Sequence, residues 1–247
     1  MPVTEFKLQY QSSAANFHKT SVIIVAAGNS VRMGSLKQFM DIGNKPLILR
    51  TILPFEKSDL IQNIIVVSRQ EDVLRVENLV TENNISKITD IVAGGDTRAE
   101  SVYKGFERCD KDTKYILIHD GARPFVTQTL ISKVLEGVEL YGAVACAVPV
   151  KDTIKETETC GRVHKTLDRS KLYAVQTPQA IEYEKYLDAL NKAAGSLDIY
   201  TDDCSIVENA GYPVYLVEGD YRNIKITTPE DIVIANALLR EYEDINY

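Results

Sequence analysis

The sequence predicts an α/β fold: a single domain built on a mostly parallel sheet with helices on both faces. Three observations predict it. Short β-branched runs such as SVIIV, NIIVV and YILIH alternate with longer amphipathic stretches, the rhythm of repeated βα units. These runs are apolar at successive positions rather than at every second one, as strands covered on both faces require. A chain of 247 residues that is 45% hydrophobic can bury one substantial core, and no repeat, low-complexity tract or linker divides it.

Residues 1–20 are polar and aperiodic and are expected to form a leader outside a domain spanning 21–247. Structure is predicted to begin at Ser21 with the buried strand SVIIVAAG, followed by a loop carrying Gly28 and Gly34. Pro46 suits the first turn of a helix running through Leu53. NIIVVS (63–68) is a strand, 70–83 a helix of alternating charge, and KITDIVAGG a strand ending in glycines. Thr97–Arg108 is expected to be helical, KYILIHD (114–120) a strand, Thr127–Leu140 a helix and GAVACAVPV (142–150) a strand. The rhythm then breaks. Over about 150–178 the short alternating segments TIKET and RVHKTL, with Gly161 between them, predict a protruding β-hairpin or arm. The α/β pattern resumes with a helix at 181–194, a short helix around 202–210, strand PVYLVEG and a terminal helix from Pro229.

Composition excludes several classes. A net charge of −7 is wrong for tracking a nucleic-acid backbone, which needs a clustered basic surface. The longest uncharged apolar runs, such as 141–150, are too short to span a bilayer. The first 20 residues lack the basic and apolar regions of a signal peptide, so a cytoplasmic location is expected. Cys109, Cys146, Cys160 and Cys204 make no CxxC pair and read as reduced thiols. Neither GxxxxGK[ST] nor GxGxxG is present, which removes sequence support for Walker-type hydrolysis and for dinucleotide binding. GxSxG and HExxH are absent too.

Four segments carry chemistry. In AAGNSVRMGSLKQF (26–39), Gly28 follows the first strand, where backbone N–H groups can approach phosphate, and Arg32 and Lys37 add positive charge beside them. In HDGARPF (119–125), Asp120 can meet a divalent cation or a ribose hydroxyl, and Arg123 can hold a phosphate bidentately. His119, inside a buried strand, reads as hydrogen-bonded core. In GGDTRAES (94–101), Asp96 or Thr97 suits a helix cap. The functional alternative is a backbone edge that reads a base, with Ser101 nearby. The fourth signal is dispersed over VKDTIK (150–155), Arg169, QTPQ (176–179), TDD (201–203) and NIKIT (223–227). Lys225, between Ile224 and Ile226 in a short strand, must face away from both, into solvent or into a site. Asp202 and Asp203 are adjacent and do not share a helix face.

Taken together, AAGxxxRM, KQF, GGDxRxxSV, HDGARPF, PVKDTIK, LDRxxLxxxQTPQ, TDD and NIKITTPED resemble the 2-C-methyl-D-erythritol 4-phosphate cytidylyltransferase family, in order from about Ser21 to Arg240. The resemblance implies a Rossmann-like nucleotidyltransferase fold and a homodimer locked by an exchanged β-arm. It implies that CMP passes from CTP to methylerythritol phosphate in isoprenoid precursor synthesis, with Mg²⁺ and release of pyrophosphate. By position, Arg32 and Lys37 would stabilise the transition state, while Arg169 and Lys225 would position the polyol phosphate. Ala26, Ala27, Gly28, Gly95, Asp96, Ser101, Asp120 and Gly121 would surround CTP. Asp120, Arg123, Thr153, Arg169, Thr201 and Lys225 would line the acceptor side, with Asp120 also facing the metal. Thr153 and Arg169 would come from the partner subunit. The loop between Met33 and Lys37 is shorter than is common in the family. Two other readings stand beside this one: the related ribitol-5-phosphate cytidylyltransferase, and a catalytically silent nucleotide-binding regulator, against which the four cations Arg32, Lys37, Arg169 and Lys225 argue.

Overall fold

The computed structural model describes residues 18–28 and 37–245. It opens with strand β1 (Thr20–Val25). After a 3₁₀ turn at Lys37–Phe39 come the short strands β2 (Asp41–Ile42) and β3 (Lys45–Pro46), then helix α1 (Leu47–Glu56). Next are β4 (Asn63–Ser68), α2 (Val73–Glu82), β5 (Ile88–Ala93), α3 (Arg98–Phe106), β6 (Tyr115–Asp120), α4 (Gln128–Tyr141) and β7 (Ala143–Pro149). The chain continues through β8 (Lys155–Thr157), β9 (Val163–Thr166), β10 (Tyr173–Glu182), α5 (Tyr183–Lys192), α6 (Asp203–Asn209), β11 (Tyr215–Glu218) and α7 (Pro229–Ile245).

Seven strands form the main sheet in the order β11-β7-β10-β6-β1-β4-β5. All neighbours run parallel except β10, which is antiparallel to both β6 and β7. The continuously apolar strands feed two cores, one on each face. In β1, Val22 and Ile24 point to the face covered by Ile48, Ile52 and Phe55 of α1 and Ile131 and Val134 of α4. Ile23 points to the opposite face, against Val102 and Phe106 of α3, Tyr186 and Leu190 of α5 and Ile206 of α6. A strand two faces deep in apolar neighbours has no polar side, which is why periodicity 2 is invisible in its sequence. A third, smaller cluster joins Ala122, Phe125 and Ile226 to Ala235 of α7. It fixes the segment just after β6 against the segment that carries Lys225.

Three expectations need correction. The folded body begins before Ser21: Thr20 is already buried in β1, and Lys19 pairs with Asp110 and Asp112 at 2.6 and 2.9 Å. Pro46 precedes α1 as its N-cap residue rather than occupying its first turn, and the helix runs on through Pro54 to Glu56. The largest correction concerns 150–178. Only β8 and β9 form a separate two-stranded sheet, and every residue of both is exposed. Residues 173–178 belong instead to β10, in the middle of the main sheet. Its polar residues hid it, since Gln176, Thr177 and Gln179 are buried. Pro178 added to the disguise, because proline argues against a central strand. The register shifts between Val175 and Gln179, and Thr177–Pro178 is a cis peptide there.

Candidate active site

Two clefts open at the carboxyl ends of the parallel strands, where open α/β sheets bind ligands. The first, about 330 Å³, is lined by Ala27, Gly28, Arg69, Gly94–Thr97, Arg98 and Ser101. Three glycines edge it, and Gln70 and Glu71 stand beside Arg69 on its other side. The turn at 94–97 is held by a capping box at the start of α3: the Thr97 hydroxyl accepts from the Glu100 N–H, and the Glu100 carboxylate accepts from the N–H of Asp96 at 2.8 Å. Thr97, not Asp96, is therefore the cap. Buried Ser101 accepts from the Gly95 N–H at 3.0 Å and donates to the Thr97 carbonyl at 2.9 Å. Gly94 has no space for a side chain, since a Cβ there would lie 2.5 Å from that of Ala27. Gln38, which is buried, closes the other side by donating to the carbonyls of Ala26 and Gly28 at 2.7 and 3.1 Å.

The second cleft, about 320 Å³, is lined by Arg98, Asp120, Arg123, Gln176, Thr177, Gln179, Thr201, Asp202 and Lys225. Its walls are charged side chains. The Asp120 carboxylate faces Lys225 Nζ at 2.9 Å and the Nε atoms of Arg98 and Arg123, each at 3.4 Å. Burial alone would raise the Asp120 pKa, but Lys225, Arg98 and Arg123 outweigh it and hold this carboxyl well below the usual range. Beneath it, His119 is fully buried. Its Nε2–H donates to the Arg123 carbonyl at 3.0 Å, and its Nδ1 accepts from the Thr177 hydroxyl at 3.1 Å, while that hydroxyl accepts the Asp120 N–H at 3.0 Å. Desolvation pushes the imidazole down to about 4, so it is neutral at pH 7. The reading of His119 as satisfied core agrees with this network.

The expected residues divide. Ala27, Gly28, Gly95, Asp96 and Ser101 line the first cleft, and Asp120, Arg123, Thr201 and Lys225 the second. Lys225 lies in an extended segment rather than a strand, yet Ile226 is buried while its own ammonium meets Asp120. Lys37 donates to the Ile226 carbonyl at 3.1 Å, next to Lys225. Arg32 lies outside the described residues.

Other expected residues sit differently. Ala26 is buried and lines neither cleft: its N–H goes to Val67 and its carbonyl to Gln38. Gly121 is buried behind the site, where a Cβ would lie 2.9 Å from that of Ala26. It allows two strand ends to approach closely and lines neither cleft. Arg123 lines the second cleft with two of its nitrogens engaged inside the protein, Nε with Asp120 at 3.4 Å and Nη1 with the Asn223 carbonyl at 2.8 Å. Thr153 and Arg169 are exposed and reach neither cleft of their own chain, and Arg169 donates to the Lys151 carbonyl at 2.9 Å. No three His, Cys, Asp or Glu residues cluster as a metal cage among the described residues. Asp120, with three cations around it, does not fit a Mg²⁺ ion held by the protein alone.

Arg98 and Asp203 belong to the site and were given no role from sequence. One signal was available for Arg98: a cation in the first turn of a helix opposes the positive end of the helix dipole, so it calls for a carboxylate partner. In TDD, Asp202 caps α6 with Ser205, and Asp203 is fully buried.

A mostly parallel α/β sheet with a glycine-edged cleft and a cationic cleft at its strand ends defines a nucleotide-handling enzyme of the nucleotidyltransferase type. A family model described as 2-C-methyl-D-erythritol 4-phosphate cytidylyltransferase matches residues 20–241. Proteins of that name from Clostridium botulinum and Bacillus cereus are 42% and 44% identical, over 90% and 89% of this chain and 98% and 97% of theirs. The crystal structure of 4-diphosphocytidyl-2C-methyl-D-erythritol synthase from Anaerococcus prevotii superposes with a TM-score of 0.81 at 32% identity, covering 91% of this chain and all of that one. The chain belongs to the 2-C-methyl-D-erythritol 4-phosphate cytidylyltransferase family.

Proposed function

We propose that this enzyme transfers a cytidylyl group from CTP to 2-C-methyl-D-erythritol 4-phosphate in isoprenoid precursor synthesis, giving 4-diphosphocytidyl-2-C-methyl-D-erythritol and pyrophosphate. The family supplies the substrates. The observation that carries the chemistry is the cationic wall of Arg98, Arg123 and Lys225 around one carboxylate, opening beside a glycine-walled cleft. An oxygen of the acceptor's phosphate attacks the α-phosphorus of CTP, a new P–O bond forms, and the bond to the β-phosphate breaks. The acceptor phosphate is already anionic at neutral pH, so no general base is required, and the neutral, fully bonded His119 is not placed as one. The barrier is the meeting of two anions, which fixed cations lower. Lys225 and Lys37 are the natural carriers of that role, and Arg32 is proposed to share it on the family resemblance alone. Mg²⁺ is proposed to come with the triphosphate, since the described protein residues offer it no set of ligands.

The test is pyrophosphate release from CTP with methylerythritol phosphate and with ribitol 5-phosphate, each with and without Mg²⁺. The higher kcat/KM is expected for methylerythritol phosphate, and only with the ion present. A preference for ribitol 5-phosphate hands the assignment to the rival enzyme, and no turnover with either leaves the silent regulator.

We further propose a cytoplasmic homodimer in which the β8–β9 arm reaches the partner's acceptor cleft. The support is a hairpin exposed on both faces, which is marginal alone in water. Its root carries Thr153 and Arg169, and C₂ pairing would cover both arms at once. Mixed dimers of Arg169→Ala and Lys37→Ala subunits should then regain activity, because one of the two sites is intact. An active monomer in scattering, or mixed dimers that recover nothing, ends the proposal.

A further inference from the structure

Arg98 is the first residue of α3, directly after its Thr97 cap. Two carboxylates compensate the unfavourable charge at that helix end. Nη1 lies 2.8 Å from Asp203 Oδ2, and Nε lies 3.4 Å from Asp120 Oδ1. Asp203 is itself the first residue of α6, with no exposed surface, and its other oxygen accepts from the hydroxyl of fully buried Tyr186 at 2.8 Å. The guanidinium therefore ties the starts of two helices to the carboxyl end of β6. Nη2 has no hydrogen-bond partner among the described residues, and the side chain is 29% exposed. Among those residues, Arg98 is the one side chain that lines both clefts.

We propose that Arg98 is a positioning residue that couples the two clefts. Anchored on buried Asp203, it holds the Asp120 carboxylate, and through it Lys225, in register with the nucleotide cleft. Its remaining N–H groups face the anion shared between the two substrates. The geometry demands a fork. Lys can satisfy one carboxylate as a point charge, but it cannot span Asp203 and Asp120 from a single planar group. Asp203 alone would need only a neutralising charge. The contact to Asp120 is what extends the link into the reacting site, where displacement by about an ångström is worth roughly 10² in rate.

The inference rests on the nucleotidyl-transfer reading, and the experiment separates the two. Pyrophosphate release is measured for wild type, R98K and the pair R98Q/D203N. The pair removes the arginine and the buried charge together, so no carboxylate is left stranded. Expected is a melting temperature near wild type for the pair, kcat reduced roughly 10²-fold, and a raised KM for the acceptor. Wild-type kcat in the pair would show that Arg98 merely neutralises Asp203 and would overturn the proposal. If the pair melts early, R98K, which keeps a charge beside Asp203, decides: it must show a comparable loss, and full activity in it overturns the proposal equally. An inactive wild type removes the transfer reading alone. Calorimetric titration of CTP into wild type and R98K then tests the coupling, with about tenfold weaker binding to R98K expected and equal binding overturning it.

Discussion

The two clefts sit side by side on the same strand ends and are made of different materials. The first is edged by the glycine-bearing segments 27–28 and 94–97, where a side chain at Gly94 or Gly95 would collide with its neighbours, and Arg69, Gln70 and Glu71 complete its wall. The second is shaped by ionised side chains, with Arg98, Arg123 and Lys225 converging on Asp120. The difference teaches how each half fails. A backbone wall is damaged by adding atoms, because neighbours must shift to admit them. A charged wall is damaged by removing them, because what it supplies is fixed charge at the place where charge develops.

The largest expected effect lies in the charged half. Lys225→Ala should lower kcat about 10²–10³-fold, with CTP binding by calorimetry little changed. Lys225 is 39% exposed and its ammonium, not its packing, meets Asp120, so thermal stability should move little. If the loss falls wholly on KM for the acceptor, Lys225 anchors ground state and transition state alike, and the contrast between the clefts narrows to one of substrate.

Gly94→Ala probes the backbone half. Its added carbon would lie 2.5 Å from the Ala27 Cβ and 2.6 Å from the Ser101 Oγ. Ser101 also ties the 94–97 turn, beside the Thr97–Glu100 capping box, so the shift is transmitted to the cleft wall. Expected is roughly a tenfold rise in KM for CTP, about 1.4 kcal/mol, with acceptor KM unchanged, and a stability cost of about 1–3 kcal/mol. An equal rise in both KM values would mean that the walls are not separable.

How much of this was legible in the sequence follows the same division. Apolar strand runs and helix periodicity located the βα units to within a few residues, because burial on both faces leaves an unmistakable composition. β10 was illegible for the opposite reason. It crosses the site, so Gln176, Thr177 and Gln179 are buried polar residues bonded to loops and side chains that approach only in the fold: Gln176 to the Asp220 carbonyl, Thr177 to His119, and Gln179 to Asp202. Glycines at strand ends announced the backbone cleft. Arginines announced charge but not its target: Arg123 turned inward to Asn223, while Arg98, which had drawn no role, spans the two clefts. The partner of a long cation is a long-range fact, and no spacing encodes it.

The smallest effect concerns the floor beneath the charged cleft. His119 touches Phe55 edge-on with ring centroids 5.0 Å apart, bonds Thr177 and Arg123, and has Asp120, Arg123 and Lys225 as charged neighbours. Burial first, and the two cations further, lower its pKa from 6.5 to about 4. The unfolded chain therefore takes up this proton before the native one does. Stability from this group is fully present above pH 6.5 and is lost as pH falls from there toward 4. Asp120, whose pKa is also depressed, loses its contribution only below the ordinary carboxylate range, so the two windows are separate. Between pH 7 and 5.5 the histidine alone should remove about 1 kcal/mol, roughly 2–4 °C of melting temperature for a chain of this size. His119→Gln should be less stable at pH 7, since it loses the fitted ring, yet its melting temperature should fall less than wild type over the same interval. Other titrating groups are common to both proteins and cancel in the difference. Parallel pH slopes for wild type and variant would mean that the imidazole takes up its proton without disturbing the bonds to Thr177 and Arg123, and the floor of the charged cleft would then be as tolerant of charge as its wall.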